Sequence, residues 1–237
     1  MHYTLLVTVD GAVKEDGIDK AIAEILNPFS ELLEVDPYPI DPATQPYHYT
    51  WQETVAKSKA YYERSKQEVL ALTPGDYEDH EYIEYASTDV SNFTDLDWIK
   101  LYVGDDEEWV EDGKGGYVEM STWNPKAKWD WWVVGGRWEN FLNRVPNGTE
   151  TDPVWGTYPV YKDGTNILRR RNLRAPQSTY SYVTKDGEWF DKPDVDWSLP
   201  EREALEKARD LAWDKQMAEY LLTVPGEDWL VIVDIHS

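Results

Sequence analysis

The sequence contains no cysteine among its 237 residues. This absence excludes disulfide bonds, thiolate nucleophiles and cysteine-ligated zinc, and it is typical of proteins that work in a reducing compartment. Histidine is scarce as well, with four residues, so a histidine-rich zinc site is not expected. The chain also lacks a phosphate-binding loop and a dinucleotide fingerprint. We therefore predict neither a metal nor a cofactor.

Long apolar runs are absent too. No stretch reaches the roughly eighteen apolar residues that a membrane-spanning helix requires. The apolar part of the N-terminal segment "MHYTLLVTVDGAV" is too short for a signal peptide and has no basic start. We expect a protein that stays in the cytosol where it is made and has no membrane partner.

Basic residues are half as numerous as acidic ones, 23 against 46, and the net charge is -23. Such a surface disfavours direct binding to nucleic acid or to anionic membranes. The simplest explanation is solubility, and the alternative is imitation of a phosphate backbone that blocks a nucleic-acid-binding protein. Residues 121–174 differ from the rest, because nine Lys or Arg residues face five acids there.

The two ends of the chain indicate the fold class. Tyr3 to Val9 is an apolar, β-branched run typical of a buried strand, and a short amphipathic helix follows from Ile18 to Pro28. The closing segment "DWLVIVDIHS" predicts a second buried strand. Because no repeat or linker divides the chain, we predict a single α+β domain over residues 1–237. Its mixed or antiparallel sheet pairs the N- and C-terminal strands and is packed by three or four helices.

Capping and turn signals predict further elements between these ends. Thr50 and Glu53 form a capping box at the start of a helix over residues 51–72, and a shorter helix follows Thr94. Alternating apolar residues on both sides of a Gly-rich turn predict a β-hairpin. The last helix has Ser198 as its predicted N-cap. The predicted hairpin loop is Asp112 to Gly116. Two further strands are predicted, at Tyr158 to Lys162 and at Tyr180 to Thr184, and the last helix is predicted to end before Pro225.

The segment "WDWWVVGGRW", Trp129 to Trp138, is the most unusual in the chain. Five of the thirteen tryptophans lie between Trp123 and Trp138. A buried indole requires a hydrogen-bond partner and a shaped neighbour. Alternation along a predicted strand from Trp129 to Val134 places Trp129, Trp131 and Val133 on one side, and Asp130, Trp132 and Val134 on the other.

The two glycines after this strand suggest an anion receptor. Gly135 and Gly136 permit backbone conformations that expose N–H groups, and Arg137 opens the segment "RWENFL", which is a candidate short helix. Stacking indoles nearby suit a flat base. The alternative is a tryptophan-rich core hairpin in which Asp130 and Arg137 form an internal ion pair. The candidate ligand-binding residues are Asn124, Lys126, Lys128, Trp129, Asp130, Trp131, Trp132, Gly135, Gly136, Arg137 and Trp138.

Three other groups of charged residues remain open to two interpretations each. Asp234 and His236 share a strand face and, with Asp130, are the candidate catalytic residues. The pair is interpreted as base and orienter in a proton transfer or as a partial metal site, and the alternative is a frayed C-terminal strand with a hydrogen-bonded histidine. The basic run Leu168 to Arg174 either reaches toward the same anion as Arg137 or neutralises acidic neighbours. The acidic groups at Asp76 to Glu81 and Asp105 to Glu108 hold a hard cation or are solvated.

The central segment "STWNPKAKWDWWVVGGRW" also supports a resemblance, together with "LLVTVDG", "LNPFSELLEVDPY", "TKDGEW" and "VIVDIHS". With these segments the chain resembles a family of uncharacterised bacteriophage and prophage proteins, many of which carry a W-D-W-[WY]-x-x-G-G-R-W core. The triple-arginine run and the acidic middle of the chain depart from that pattern. By position, the resemblance points to Asn124, Trp129, Asp130, Gly135, Gly136, Arg137, Trp138, Asp234 and His236.

The resemblance implies a phage accessory protein in the bacterial host cytoplasm, where such proteins frequently counter host defence. Joined to the Trp-rich segment, this context predicts a non-catalytic sponge that sequesters a small nucleotide-like anion. Trp129, Trp131 or Trp132 would stack on the base, while Arg137, the Gly135–Gly136 amides and Lys126 or Lys128 would hold phosphate. The alternatives are an acidic protein that inhibits a nucleic-acid-binding host defence protein, and a nucleotide hydrolase or phosphodiesterase. A homo-oligomer is compatible with each.

Overall fold

The computed structural model describes residues 1–45, 47–71, 81–104, 108–154, 156–196 and 198–237. Within these residues the chain contains five α-helices and eleven β-strands. The sheets are mixed and the N- and C-terminal strands pair with each other, so the predicted α+β class is confirmed. The chain is organised as two compact units. Unit 1 combines Met1–Leu33 with Asn124–Ser237, and unit 2 is Glu34–Trp123.

The elements follow one another along the chain in this order: β1 (His2–Val9), α1 (Ile18–Leu26), β2 (Tyr38–Pro39), α2 (Trp51–Ala71), α3 (Glu81–Ser87), α4 (Asp95–Val103), β3 (Glu108–Glu111), β4 (Tyr117–Ser121), β5 (Trp131–Val134), β6 (Val145–Asp152), β7 (Gly156–Lys162), β8 (Ile167–Arg169), β9 (Ser181–Val183), β10 (Trp189–Asp191), α5 (Arg202–Thr223) and β11 (Trp229–His236).

Unit 1 is built on a sheet in the order β10-β9-β1-β11-β5, with β8 paired to the other end of β11. β1 and β11 run antiparallel over their whole length, from His2 opposite His236 to Val9 opposite Trp229. β9 is parallel to β1, and the other pairs are antiparallel. Both central strands are buried along most of their length, which explains why they are near-continuous apolar runs rather than alternating ones.

Each face of this sheet packs against one helix. On one face, Ile18, Ile22 and Leu26 of α1 lie against alternate residues of β1 and β11. The opposite face packs against Trp213, Met217 and Leu221 of α5. Helical spacing of three and four residues brings each apolar set to one side of its helix. Two separate apolar clusters therefore sandwich the sheet.

Unit 2 contains helices α2 to α4 and a small antiparallel sheet in the order β2-β4-β3. The predicted capping box at Thr50 and Glu53 is present, and a second one joins Thr94 to Asp97 at the start of α4. The predicted hairpin is β3–β4, and its turn is closed by the Asp112 side chain, which accepts hydrogen bonds from two backbone N–H groups. α3 was not predicted.

The start of the last helix differs from the prediction. α5 begins at Arg202, and its N-cap is Glu201, which makes no side-chain cap hydrogen bond. Ser198 donates instead to the Asp196 carboxylate at 2.7 Å, because the two residues close a local turn before the helix. Ser198 as the N-cap was therefore wrong, whereas the end of the helix before Pro225 is confirmed.

Candidate functional site

Three of the four indoles in the central segment belong to the core. Trp129 packs in the cluster beneath α1 and donates its Nε1–H to the Leu26 carbonyl at 3.1 Å. Trp132 packs in the same cluster, and Trp138 packs against the cluster beneath α5. These three rings pack as the core alternative predicts, and their part in ligand binding stays a prediction. Burial of such large rings contributes to the stability of unit 1.

Trp131 differs from these three because of where the strand begins. β5 starts at Trp131 and not, as predicted, at Trp129, because Trp129 forms an isolated bridge with Ser30 outside the strand. The predicted alternation therefore does not extend to Trp129. Within β5 the side chains alternate, with Trp132 and Val134 in the core and Trp131 and Val133 each 42% exposed. Trp129 therefore lies with Trp132 and not, as predicted, with Trp131.

Trp131 stands in a row of three rings across the edge of the sheet. Register places His236 opposite both His2 on β1 and Trp131 on β5. The Trp131 and His236 rings are stacked, with centroids 5.9 Å apart and planes at 9°. His2 meets both rings edge-on, at 5.3 Å from Trp131 and 5.1 Å from His236. The row lies on the same face of the sheet as α5, which packs against that face at residues farther along the strands. We call His2, Trp131, His236 and the neighbouring Arg137 the platform.

Each histidine of the platform is held by its own carboxylate. His236 Nδ1 lies 2.8 Å from Asp130 Oδ2, and His2 Nδ1 lies 3.0 Å from Asp234 Oδ1. An ionised carboxylate only accepts hydrogen bonds, so both Nδ1 atoms donate and both Nε2 atoms are left as the proton-exchanging nitrogens. The prediction that Asp234 orients His236 was wrong, because the neighbouring strands supply a nearer partner to each. Of the other alternative, the frayed strand is wrong, since β11 is paired up to His236, whereas the hydrogen-bonded histidine is confirmed.

The Asp130 carboxyl is adapted to this role. Partial burial would raise its pKa, but hydrogen bonds from His236 and from the Trp131 N–H outweigh that effect and the pKa is lowered. The charge on Asp130 is therefore retained as the pH falls, and a charged carboxylate stabilises protonated His236. The internal Asp130–Arg137 ion pair considered above is not formed, because Asp130 is engaged by His236.

The glycine pair packs against the second carboxylate. Asp234 is 1% exposed, and its Oδ2 accepts the Arg137 N–H at 2.9 Å. A Cβ on Gly136 would lie 2.5 Å from Asp234 Oδ2, so only glycine allows this approach. The Gly135 N–H donates to the Ile232 carbonyl. The Gly135 and Arg137 N–H groups are therefore engaged within the protein, and phosphate binding by the Gly135–Gly136 amides stays a prediction.

Arg137 keeps its side chain available. The residue is exposed, and across the described ranges its guanidinium forms no ion pair. The segment after the glycines is a 3-10 turn, Gly136–Trp138, rather than the predicted short helix. Its backbone contact with Asp234 fixes the start of the side chain next to the His2–Asp234 pair. The start of a positively charged side chain therefore lies beside the carboxylate that holds His2.

The polar residues before the segment have structural roles. Asn124 is 3% exposed and donates to the carbonyls of Pro28 and Ser30, both at 2.9 Å. Lys128 pairs with Asp191 at 2.8 Å. These contacts close the loop onto unit 1 and give Asn124 and Lys128 structural roles, while their part in ligand binding stays a prediction. Lys126 is exposed.

The arginine run is tied into the fold. Arg169 donates to the Gly11 carbonyl at 2.8 Å and covers the Trp229 ring, with its guanidinium carbon 3.5 Å from the centroid. Arg170 donates to the Leu221 carbonyl, and Arg171 pairs with Glu227. The alternative in which the run neutralises neighbours is the better description. The acidic groups at residues 76–81 and 105–108 lie almost wholly outside the described residues.

Comparison with known proteins adds nothing to this geometry. No family model, curated protein or solved structure matches the chain. The resemblance to phage proteins therefore stays a prediction. Within the described ranges, no helix is long and apolar enough to span a membrane, and no group of three or more His, Asp or Glu side chains is placed to bind a metal ion.

His2 is the site residue that sequence reasoning missed. A histidine at the first position of β1 carries no motif, and its importance follows only from the register of β1 on β11. One signal was available, however. The prediction that the two terminal strands pair would have placed His2 close to His236 if a register had been assigned to them.

Proposed function

We propose that the platform binds a small nucleotide-like anionic ligand. The observation that carries the proposal is the exposed Trp131 ring, which lies in one row with two histidine rings. Arg137 belongs to the same platform and forms no ion pair within the described residues. An exposed indole offers a face for a flat base, and base–aromatic stacking contributes about 1–3 kcal/mol. A guanidinium binds phosphate oxygens in a bidentate manner.

The sequence around the platform is more basic than the acidic chain as a whole, which favours an anionic ligand. Residues 121–174 carry a local excess of basic residues, and of these Arg137 lies at the platform. In the phage context that the resemblance implies, such binding would sequester a host signalling nucleotide in the bacterial cytoplasm.

Calorimetry against a panel of cyclic nucleotides and ADP-ribose derivatives tests this proposal. We expect at least one compound to bind, and we expect both Arg137→Ala and Trp131→Ala to weaken that binding at least tenfold, since each removes one recognised part of the ligand. Arg174→Ala and Trp123→Ala are matched controls, because both residues are exposed and lie outside the platform. Equal losses in the controls and the platform variants would contradict the proposal.

A second candidate function, cleavage of a phosphate ester, is favoured by the two histidine–carboxylate pairs. One neutral histidine Nε2 accepts a proton from water while the water oxygen forms a bond to phosphorus. The bond from phosphorus to the leaving oxygen breaks, and the other histidine, protonated at Nε2, donates its proton to that oxygen. The two imidazole centroids are 5.1 Å apart, and this separation supports action of both groups on one phosphate. Asp130 and Asp234 orient the rings and stabilise their protonated forms.

Turnover of the bound compound, followed by phosphorus NMR, separates binding from cleavage. If the platform is catalytic, His236→Ala and His2→Ala should each slow product formation by about 10²–10⁴-fold, because each removes a proton-transfer group. A ligand that binds and is recovered intact would leave sequestration as the function. A His236→Ala variant with the wild-type rate would remove the proposed mechanism.

A further inference from the structure

Unit 2 contains a cavity whose wall is largely aromatic. Its volume is about 640 Å³, which is within the range of small-molecule sites. Among the residues lining it are six aromatic side chains, Tyr47, Tyr49, Tyr61, Tyr85, Tyr102 and Trp109. Nothing in the central Trp-rich segment belongs to this cavity, so it is independent of the function proposed for the platform.

Several of the rings stand at right angles to one another. Tyr61 meets Tyr85 with centroids 4.9 Å apart and planes at 88°, and it meets Tyr102 at 6.5 Å and 75°. Such an arrangement presents ring faces from more than one direction to the same space, as aromatic cages for alkylated ammonium groups do. The faces also accept cations from the protein, since Lys57 Nζ lies 4.2 Å from the centroid of Tyr49.

A carboxylate completes the wall. Glu119 on β4 is 9% exposed, and both of its oxygens lie 3.0 Å from His48 Nδ1. A carboxylate screened from water attracts a cation more strongly than an exposed one does, because the local dielectric is low. His48 holds the carboxylate in place through a single hydrogen-bonding nitrogen.

A second polar group in the wall, the Trp109 indole, has an N–H donor that lacks an acceptor within the described residues. Across the described residues, the Nε1 of Trp109 is buried and has no acceptor. Buried indole N–H groups normally have a partner. A ligand oxygen in the cavity would supply one.

The net negative charge of unit 2 favours a positively charged ligand. The sequence of this unit contains 21 acidic and six basic residues. The resulting field repels anions and raises the local concentration of cations. The aromatic wall, the carboxylate and the field therefore all favour the same class of molecule.

We propose that this cavity of unit 2 binds an organic cation that carries an alkylated ammonium group together with an oxygen acceptor. The ring faces contact the alkyl groups, Glu119 faces the positive charge, and the Trp109 N–H donates to the oxygen. An anionic nucleotide is excluded from this cavity by the same charges.

Choline and its neutral isostere 3,3-dimethyl-1-butanol test the proposal directly, because they have the same shape and hydroxyl group and differ in charge. Titration of the full chain, followed by calorimetry or ligand-observed NMR, should show choline binding at least tenfold more tightly. Equal affinities for the two compounds, or no saturable binding of choline at millimolar concentrations, would overturn the proposal.

Two variants test the wall itself. Glu119→Gln removes the charge and keeps the shape, and Tyr102→Leu removes one ring; each should weaken choline binding at least fivefold. Tyr158→Leu on β7 is the matched control, since Tyr158 is 43% exposed and Tyr102 is 38% exposed. Circular dichroism establishes that each variant is folded, and if Tyr102→Leu is not, Glu119→Gln decides. Unchanged affinity in Glu119→Gln would refute the assigned role of the carboxylate and with it the cation site.

Discussion

Replacing Trp132 by alanine is expected to destabilise unit 1 by about 3 kcal/mol, whereas replacing its neighbour Trp131 should change the free energy of unfolding by less than about 1 kcal/mol. The physical reason is the alternation along β5. Trp132 packs in the core cluster beneath α1, and its loss leaves a cavity that the sheet cannot close. Trp131 is 42% exposed and contacts two histidine rings at the sheet edge.

Denaturant unfolding followed by far-ultraviolet circular dichroism measures both free energies without relying on the indole fluorescence that the substitutions themselves alter. The same two proteins should show the opposite order in ligand binding, which only Trp131→Ala should reduce. A Trp131→Ala protein as unstable as Trp132→Ala would show that Trp131 is a core residue, and the platform would then lose its stacking face.

The second large effect is expected at Gly136. Substitution by alanine should cost about 3 kcal/mol or more, because a Cβ there meets Asp234 Cβ at 2.6 Å and Val133 Cγ1 at 2.9 Å. The left-handed backbone, with φ at +54°, adds about 1 kcal/mol for any residue with a side chain. Asp234 cannot withdraw, since it is buried and hydrogen bonded to His2.

Gly148→Ala is the matched control for this prediction. Gly148 has a φ of +99°, and a Cβ there meets nothing within 4 Å. This variant carries the backbone cost alone, about 1 kcal/mol. The difference between the two free energies of unfolding therefore isolates the steric contact with Asp234. Equal destabilisation of the two variants would mean that the close approach of Gly136 to the carboxylate makes no contribution to the free energy of unfolding.

The sequence was most informative where local chemistry decides the structure. The capping boxes at Thr50 and Thr94 and the hairpin turn at Asp112 depend on residues within four positions of one another, and all three are present. The long apolar runs at both ends predicted the paired central strands. Ser198 failed as a cap because its hydroxyl had a competing partner, Asp196, two residues away.

The structure corrects most of the contacts predicted within the candidate site, and its role in ligand binding stays a prediction. The platform keeps Trp131, Arg137 and His236 of the predicted set, and the partner of each histidine comes from another segment of the chain. Sequence reasoning paired Asp234 with His236 because two residues on one strand share a face. It could not assign the cross-strand neighbours, since these follow from register and from the turn geometry before β5.

The aromatic cavity in unit 2 had no signal in the sequence at all. Its tyrosines come from the segment before α2 and from three helices, at irregular spacing. Only the packing of α3 and α4 on α2, and of α2 on β4, brings them to one space together with Glu119.

The amino-acid sequence by itself determined the α+β class, the buried terminal strands, the capped helices and the unusual density of indoles before a glycine pair. Tertiary structure alone decided which indole stays at the surface, which carboxylate holds each histidine, and why Gly136 has to lack a side chain. The reason is that the first group depends on short-range periodicity and hydrogen bonding. The second depends on strand register, where a shift of one residue turns every side chain to the opposite face of the sheet.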